Sequence, residues 1–257
     1  MSEDVRRRTL LQAGVAGAAA AGLAGCERLS QSPAVREGLE LAEPLTRASQ
    51  RALQGRSALA REYGPEAVIQ PMRANGSVNP AAPEYRRLLE GGFRDWRLQV
   101  HGLVRSPLSL SLDQLRAAPS RTQITRHDCV EGWSCIAKWK GVQLGRVLAE
   151  AGLLPSARFV VFHCADALDQ QPNGERYYES IDLVDAFHPQ TILAYEMNDA
   201  PLPVANGAPL RVRVERQLGY KMAKYLMRIE AVESFAHIGR GNGGYWEDRG
   251  YEWYAGI

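Results

Sequence analysis

From residue 96 to residue 229 the chain is a succession of short runs of strand character, and this pattern restricts the fold more than any other feature. Residues 96–104 alternate apolar and polar side chains and are followed by Pro107, which predicts a half-buried strand and a turn. Residues 108–110 are extended, residues 112–117 form a helical turn or two introduced by Ser111, and Pro119 stops them. Residues 122–125 predict a strand that delivers Cys129 at its end. Residues 144–151 predict a helix capped by Gly152. Phe159, Val160, Val161 and Phe162 form the continuous apolar run of a strand buried on both faces. Residues 177–181 and 191–195 are strand candidates around a helix at 183–186, and residues 210–214 and 225–229 alternate strongly. There is no internal repeat and no regular helix–strand alternation, so the class is α+β, mixed and strand-rich.

The N-terminus predicts an address. Arg6-Arg7-Arg8 precedes an alanine-rich apolar run at 13–24, the charged and apolar regions of an export signal and too short to span a bilayer. Arg7-Arg8-Thr9-Leu10-Leu11 resembles a twin-arginine signal, the route for proteins folded before export. Leu23-Ala24-Gly25-Cys26 resembles a lipobox, which implies cleavage before Cys26, lipidation of its sulfur and membrane anchoring in the periplasm or cell envelope. An ordinary cleaved signal, with Cys26 incidental, is the alternative. Residues 1–25 hold three arginines, one aspartate and one glutamate, so their removal lowers the formal charge from +2 to +1. Such a charge predicts no nucleic-acid partner. The expected organisation is a signal at 1–25, a tether and N-terminal extension at 26–92, a folded domain at 93–238 and an aromatic tail at 239–257.

Cys129, Cys135 and Cys164 are an odd set for an oxidising compartment, so at least one thiol needs a task other than a disulfide. A Cys129–Cys135 bridge is one alternative. A zinc site drawn from His127, Cys129, Cys135, His163 and Cys164 is another, although the spacing is not that of paired structural zinc ligands. Cys129 itself stands in Arg126-His127-Asp128-Cys129-Val130-Glu131-Gly132-Trp133-Ser134. There a turn-forming Glu-Gly can present a soft thiolate from a loop to a redox metal.

That loop, taken with Asn206-Gly207-Ala208-Pro209-Leu210-Arg211 and Gly219-Tyr220-Lys221, resembles the sulfite-oxidase-fold molybdopterin oxidoreductases, most closely the periplasmic methionine sulfoxide reductase catalytic-subunit type with its Cys-Val-Glu-Ala-Trp-Ser loop. The resemblance covers about residues 96–232 and implies that fold, a Mo-molybdopterin cofactor and Cys129 as the molybdenum ligand and catalytic residue. It also implies that Asn206 and Arg211 bind the pterin and its phosphate, with Gly219, Tyr220 and Lys221 on the phosphate side. A guanidinium, an ammonium and glycine-exposed N–H groups are suitable donors to a phosphate dianion, and an amide edge can meet a pterin edge. Taken singly, Asn206-Gly207 is a turn signal, Arg211 an exposed strand residue and Gly219-Tyr220-Lys221 a hairpin connection. Two positions depart from the pattern. Cys164 replaces the reductase threonine, and can face the pterin or act as a small buried hydrophobe. The Asn-x-Tyr-Glu-type segment is absent, with Arg73-Ala74-Asn75-Gly76 in its place and Asn75 as the candidate.

Classical sulfite oxidases continue after the cysteine with Ala-Gly-Asn-Arg-Arg, whereas this chain continues Val-Glu-Gly-Trp-Ser, which favours a neutral oxo-acceptor or another small substrate. The resemblance thus implies two-electron oxygen-atom transfer, the cofactor carrying the hard step. Neither a C-x-x-C-H haem motif nor a flavin fingerprint is present, so electrons would pass through a separate partner, a membrane haem protein or a soluble cytochrome. His127 is expected to bond loop carbonyls, Arg126 is left between structure and function, and Trp133 and Trp139 are expected to pack the loop. The tail is expected to dock on its own domain, as a lid or a partner contact, without forming a helix. Monomer is the default. The competing reading is a metal-free exported binding lipoprotein of the same fold.

Overall fold

The computed structural model describes Ser32, Pro33, Val35 and residues 42–257. The arginine cluster, the apolar run and Cys26 lie outside the described residues. Two compact units divide between Leu53 and Gln54. The first carries all but the last residue of helix α1 (Ala42–Gln54), with Glu43 in its first turn and Arg51 in its last, both favourably placed for the helix dipole. No described helix is long and apolar enough to cross a membrane.

The second unit is built on one mixed and one antiparallel sheet with helices between the strands, confirming the α+β class. Its elements are α2 (Pro83–Glu90), β1 (Arg97–Gly102), β2 (Leu108–Ser111), α3 (Leu112–Ala117), β3 (Ser120–Asp128), β4 (Ser134–Gln143) and α4 (Leu144–Ala151). They continue with β5 (Phe159–Ala167), β6 (Arg176–Asp182), α5 (Leu183–Ala186), β7 (Ile192–Met197), β8 (Ala200–Pro201), β9 (Arg211–Arg213) and β10 (Leu226–Val232). One sheet runs β2-β1-β10-β5-β6, and the other runs β3-β4-β7-β8 with β9 also paired to β7. β1 and β10 pair in parallel across most of the sequence of the unit, while the remaining pairs are antiparallel.

Local chemistry explains several boundaries. Ser111 and Gln114 form a reciprocal capping box at the start of α3, with N–H to side-chain oxygen distances of 3.1 and 2.8 Å. Gly152 closes α4 in the left-handed conformation at φ 68°. Val160, Val161 and Phe162 are fully buried, as a strand covered on both faces requires. Residues 54–92 belong to the same compact unit: Glu62 bridges to Thr125, the Ile69 N–H donates to Ile136, and Tyr85 on α2 is wholly buried with its hydroxyl donating to the Ala208 carbonyl at 2.8 Å.

His188 is held neutral. Its Nε2–H donates to the Ala58 carbonyl at 3.1 Å while Nδ1 accepts from the Gln190 N–H at 3.3 Å. Burial, reinforced by the Arg216 charge, holds its pKa below the ordinary value. The unfolded imidazole binds its proton more readily, so this stability is fully present above about pH 6.5 and is lost as pH falls below it. The melting temperature of His188→Gln is therefore expected to fall less between pH 7 and pH 5 than that of wild type. Parallel declines in a calorimetric series would contradict this account.

Candidate cofactor site around Cys129

β3 and β4 pair to the end of the hairpin, His127 opposite Cys135 and Asp128 opposite Ser134, and the loop between them is a tight turn. The Cys129 N–H donates to the Trp133 carbonyl at 2.9 Å, the Gly132 N–H donates back to Cys129 at 3.0 Å, and Gly132 takes φ 83°, which favours glycine. Asp128 accepts from Ser134 Oγ at 2.5 Å and from Arg126 Nε at 2.9 Å, so Arg126 staples the loop from outside. Trp133 packs beside His127 with ring centroids 5.6 Å apart and carries the Arg73 guanidinium 4.8 Å above its ring.

Cys129 is half-buried and opens into a cavity of about 130 Å³. Asn75, Ser77, Asp166, Gly219, Tyr220 and Lys224 line its walls, together with Trp246 and Tyr251 from the tail. Burial raises the Cys129 thiol, with Glu131 adding to the effect, while backbone N–H groups of the loop and the Arg73 charge oppose it. A bound metal cation would reverse that preference and hold the sulfur as thiolate. All three described cysteines are unbridged, and no three His, Cys, Asp or Glu side chains converge as metal ligands among the described residues. Cys129 thus stands as a single soft donor, which suits a metal that brings most of its own ligands.

Behind the cavity lies a buried cluster of positive charge. Arg211 is wholly buried; its guanidinium donates to the Asn206 carbonyl at 2.9 Å and the Met222 carbonyl at 3.4 Å, and its Nε has no partner. Burial and the neighbouring Arg213 push its pKa down to about 9. Arg213 is neutralised by Glu215 at 2.7 Å, whereas no described carboxylate pairs with Arg211. Both guanidiniums lie over the buried Trp139 ring, at 5.0 and 4.4 Å. Lys224 donates to three backbone carbonyls, of Asn75, Ser77 and Ala205, and burial with the Arg211 charge pushes its pKa down to about 7. The three cations Arg211, Arg213 and Lys224 outnumber the Glu215 and Asp166 carboxylates that act on them, and such an excess of buried positive charge favours an anion.

The unsatisfied donors agree with that demand. Asn206 Nδ2 is buried without a partner. Arg213 donates to His127 Nδ1 at 3.0 Å, which places the imidazole proton on Nε2, also buried and unpartnered. His127 therefore bonds a side chain in place of the loop carbonyls expected from sequence. Burial, with Arg213, Arg211 and Lys224, holds its pKa well below the ordinary value. Gly219 is tight for a reason of its own: a Cβ there would lie 2.5 Å from the His127 ring.

The structure gathers Cys129, Asn75, Gly219 and Tyr220 on one cavity, and Arg211 links Asn206 to it by bonding the carbonyls of Asn206 and of the lining residue Met222. Two expected cofactor residues stand elsewhere. Lys221 is wholly buried between Glu179 and Glu247, so its ammonium is already engaged and the cation on the cavity wall is Lys224. Cys164 lines a separate cavity of about 770 Å³, with Tyr177 on the wall of both, and burial pushes its thiol well up. Lys224 sits three residues beyond Lys221 in the same segment, and sequence spacing offers no means of choosing between them. Asp166 and Ser77, hydrogen-bonded at 2.5 Å, carried no motif at all.

A soft sulfur on a cavity, with a guanidinium lacking a carboxylate and orphaned donors buried next to its lining residues, suits an anionic, metal-bearing cofactor, and the chain belongs to the oxidoreductase molybdopterin-binding domain family, whose model matches residues 88–237. The cofactor implied by that membership is Mo-molybdopterin, and the residues present fit it. Among its relatives are the protein-methionine-sulfoxide reductase subunit YedZ1 of Azospira oryzae, whose name marks that assignment as provisional, at 42% identity over 161 residues, 63% of this chain and 56% of the relative. The protein-methionine-sulfoxide reductase catalytic subunit MsrP of Xanthomonas axonopodis pv. citri is 39% identical over 146 residues, 54% of this chain and 45% of the relative. The chain spans about half the length of these curated relatives. Among solved structures, the sulfane dehydrogenase SoxCD of Paracoccus pantotrophus aligns with a TM-score of 0.49 at 23% identity, over 55% of this chain and 39% of that one.

Proposed function

We propose that this chain is an exported molybdenum-cofactor oxidoreductase that transfers an oxygen atom in a two-electron reaction on a small neutral substrate, in the manner of a sulfoxide reductase. The observation that carries the reading is Arg211, a buried cation without a carboxylate partner that bonds the carbonyl of Met222, a residue of the cavity on which the Cys129 thiol opens. In this reading Cys129 ligates molybdenum, Asn206 and Arg211 meet the pterin and its phosphate, and Lys224 with the Gly219-Tyr220 backbone completes the positive wall. The bound cofactor supplies the redox chemistry. The protein's part is to fix the sulfur on a rigid hairpin, to neutralise the anion, and to keep His127 as a neutral donor of defined tautomer.

The names of the relatives and the Val130-Glu131-Gly132-Trp133 continuation, which carries no basic residue, support sulfoxide reduction over the oxidation of a dianion. We place the protein in the periplasm or cell envelope, anchored through a lipidated Cys26, as a monomer that exchanges electrons with a membrane haem protein or soluble cytochrome.

Arg211→Met tests the anion site directly. Without cofactor, replacing an unpaired buried cation by an apolar chain of similar length is expected to leave stability unchanged or to raise it. In protein matured in a host that makes the cofactor, the same variant is expected to lose most of its molybdenum by elemental analysis. Full molybdenum content in the variant would remove Arg211 from the site.

A further inference from the structure

The family match ends at residue 237, yet two walls of the Cys129 cavity come from beyond it. Trp246 and Tyr251 stack at 5.1 Å with an interplanar angle of 24°, and Tyr220 meets Tyr251 edge-on at 5.2 Å. Together they make an aromatic corner in the cavity that holds Cys129.

The corner is built as a rigid part. The Tyr251 N–H donates to the Trp246 carbonyl at 3.0 Å, and the Tyr220 hydroxyl donates to the Glu252 carbonyl at 2.6 Å. On one side Glu247 accepts from the buried Lys221 ammonium at 2.5 Å. Next to it Asp248 accepts from the Tyr178 hydroxyl at 2.6 Å and from the Arg240 N–H at 2.9 Å. Farther along, Trp253 Nε1 donates to Ser180 Oγ at 2.8 Å and the Leu218 N–H donates to the Ala255 carbonyl at 2.9 Å. Residues 239–257 are therefore strapped across the domain at several points, and a short helical turn, Glu247–Arg249, holds Trp246 and Tyr251 against each other.

Besides the polar Ser77, Asp166 and Lys224, the cavity lining includes the apolar Val130, Leu168 and Met222 together with the aromatic corner. We propose that Trp246 and Tyr251 are specificity-determining residues that receive the alkyl arm of a thioether S-oxide, so that the C-terminal strap, and not the family domain, sets the preference for an alkyl-bearing substrate. The inference rests on the oxygen-transfer reading for the reaction, but the recognition it describes is a binding event. Aromatic faces favour the polarisable, weakly hydrated arm next to sulfur, and would do little for an oxo group without one.

The test is calorimetric titration of oxidised holoenzyme, in which binding is read without turnover, using N-acetyl-methionine sulfoxide amide and dimethyl sulfoxide as probes. Trp246→Ala and Tyr251→Ala are expected to weaken the methionine sulfoxide by about tenfold, the range for losing an apolar pocket contact, and dimethyl sulfoxide by clearly less. Trp246→Phe, which keeps a ring on the strap, is expected to retain most of the affinity. Molybdenum content and melting temperature are followed in parallel to show that the strap and cofactor remain in place. Equal weakening of both probes, no weakening of either, or wild type that binds neither probe overturns the inference. Wild type that binds both with the expected preference but reduces neither overturns the sulfoxide-reductase reading and leaves the aromatic corner standing.

Discussion

Cys129→Ser is expected to give a folded protein that has lost its visible absorption and its oxidoreductase activity. Little of the fold depends on the sulfur. The loop is closed by backbone hydrogen bonds between Cys129, Gly132 and Trp133 and is fastened by Asp128 to Ser134 and Arg126, all of which survive the substitution. What changes is ligand chemistry, because a hydroxyl is a harder and far less acidic donor than a thiol and does not replace a thiolate on a soft metal. Loss of a residue that only hydrogen-bonds a metal ligand commonly costs about 10–100-fold in activity, and loss of the ligand itself should exceed about 100-fold. Elemental analysis and the optical spectrum of wild type and variant, matured in the same host, give the readout. An unchanged spectrum at full molybdenum content would sink the assignment of Cys129, whereas well-folded wild type without molybdenum would make the metal-free binding protein the better reading.

The second large effect concerns stability. Burial alone would lower the Lys221 pKa, but Glu179 and Glu247 outweigh it and hold the ammonium charged. Lys221→Met leaves two carboxyl groups facing each other in a sealed site, where burial and the charge of Glu247 already push Glu179 well above the carboxylate range. Removing one partner of a buried ionic group costs about 3–5 kcal/mol. For a unit of this size that corresponds to a drop on the order of 10 °C in melting temperature. Adding Glu179→Gln should recover part of the loss, since the two changes share one network. Molybdenum content decides the alternative: a variant that loses the metal while melting like wild type would return Lys221 to the phosphate side of the cofactor.

That pair of lysines shows where sequence reading stops. Gly219-Tyr220-Lys221-Met222-Ala223-Lys224 contains two ammonium groups three residues apart, and both suit an anion. The short helical turn at Gly219–Lys221 sends the first into the domain toward Glu179 on β6 and Glu247 in the tail, and leaves the second on the cavity wall. Both carboxylates are distant in sequence and carry no motif. The same holds for His127, whose partner Arg213 lies on β9, and for Asp166 with Ser77.

The strand-rich α+β class, the strand that leads to Cys129, the caps at Ser111 and Gly152, and the loop that presents the Cys129 thiol were all legible in the sequence. Each of these depends on alternation, turn chemistry or a contiguous motif, and so is written within a few residues. Only the tertiary structure decided that Arg211 would be a buried cation without a carboxylate, that Lys224 would line the cavity in place of Lys221, and that an aromatic tail would wall it with Trp246 and Tyr251. Those outcomes depend on which charges and rings meet across sheets and termini. Burial then fixes their energetic meaning, because a guanidinium that water would screen on a surface becomes a demand for an anion once it is enclosed.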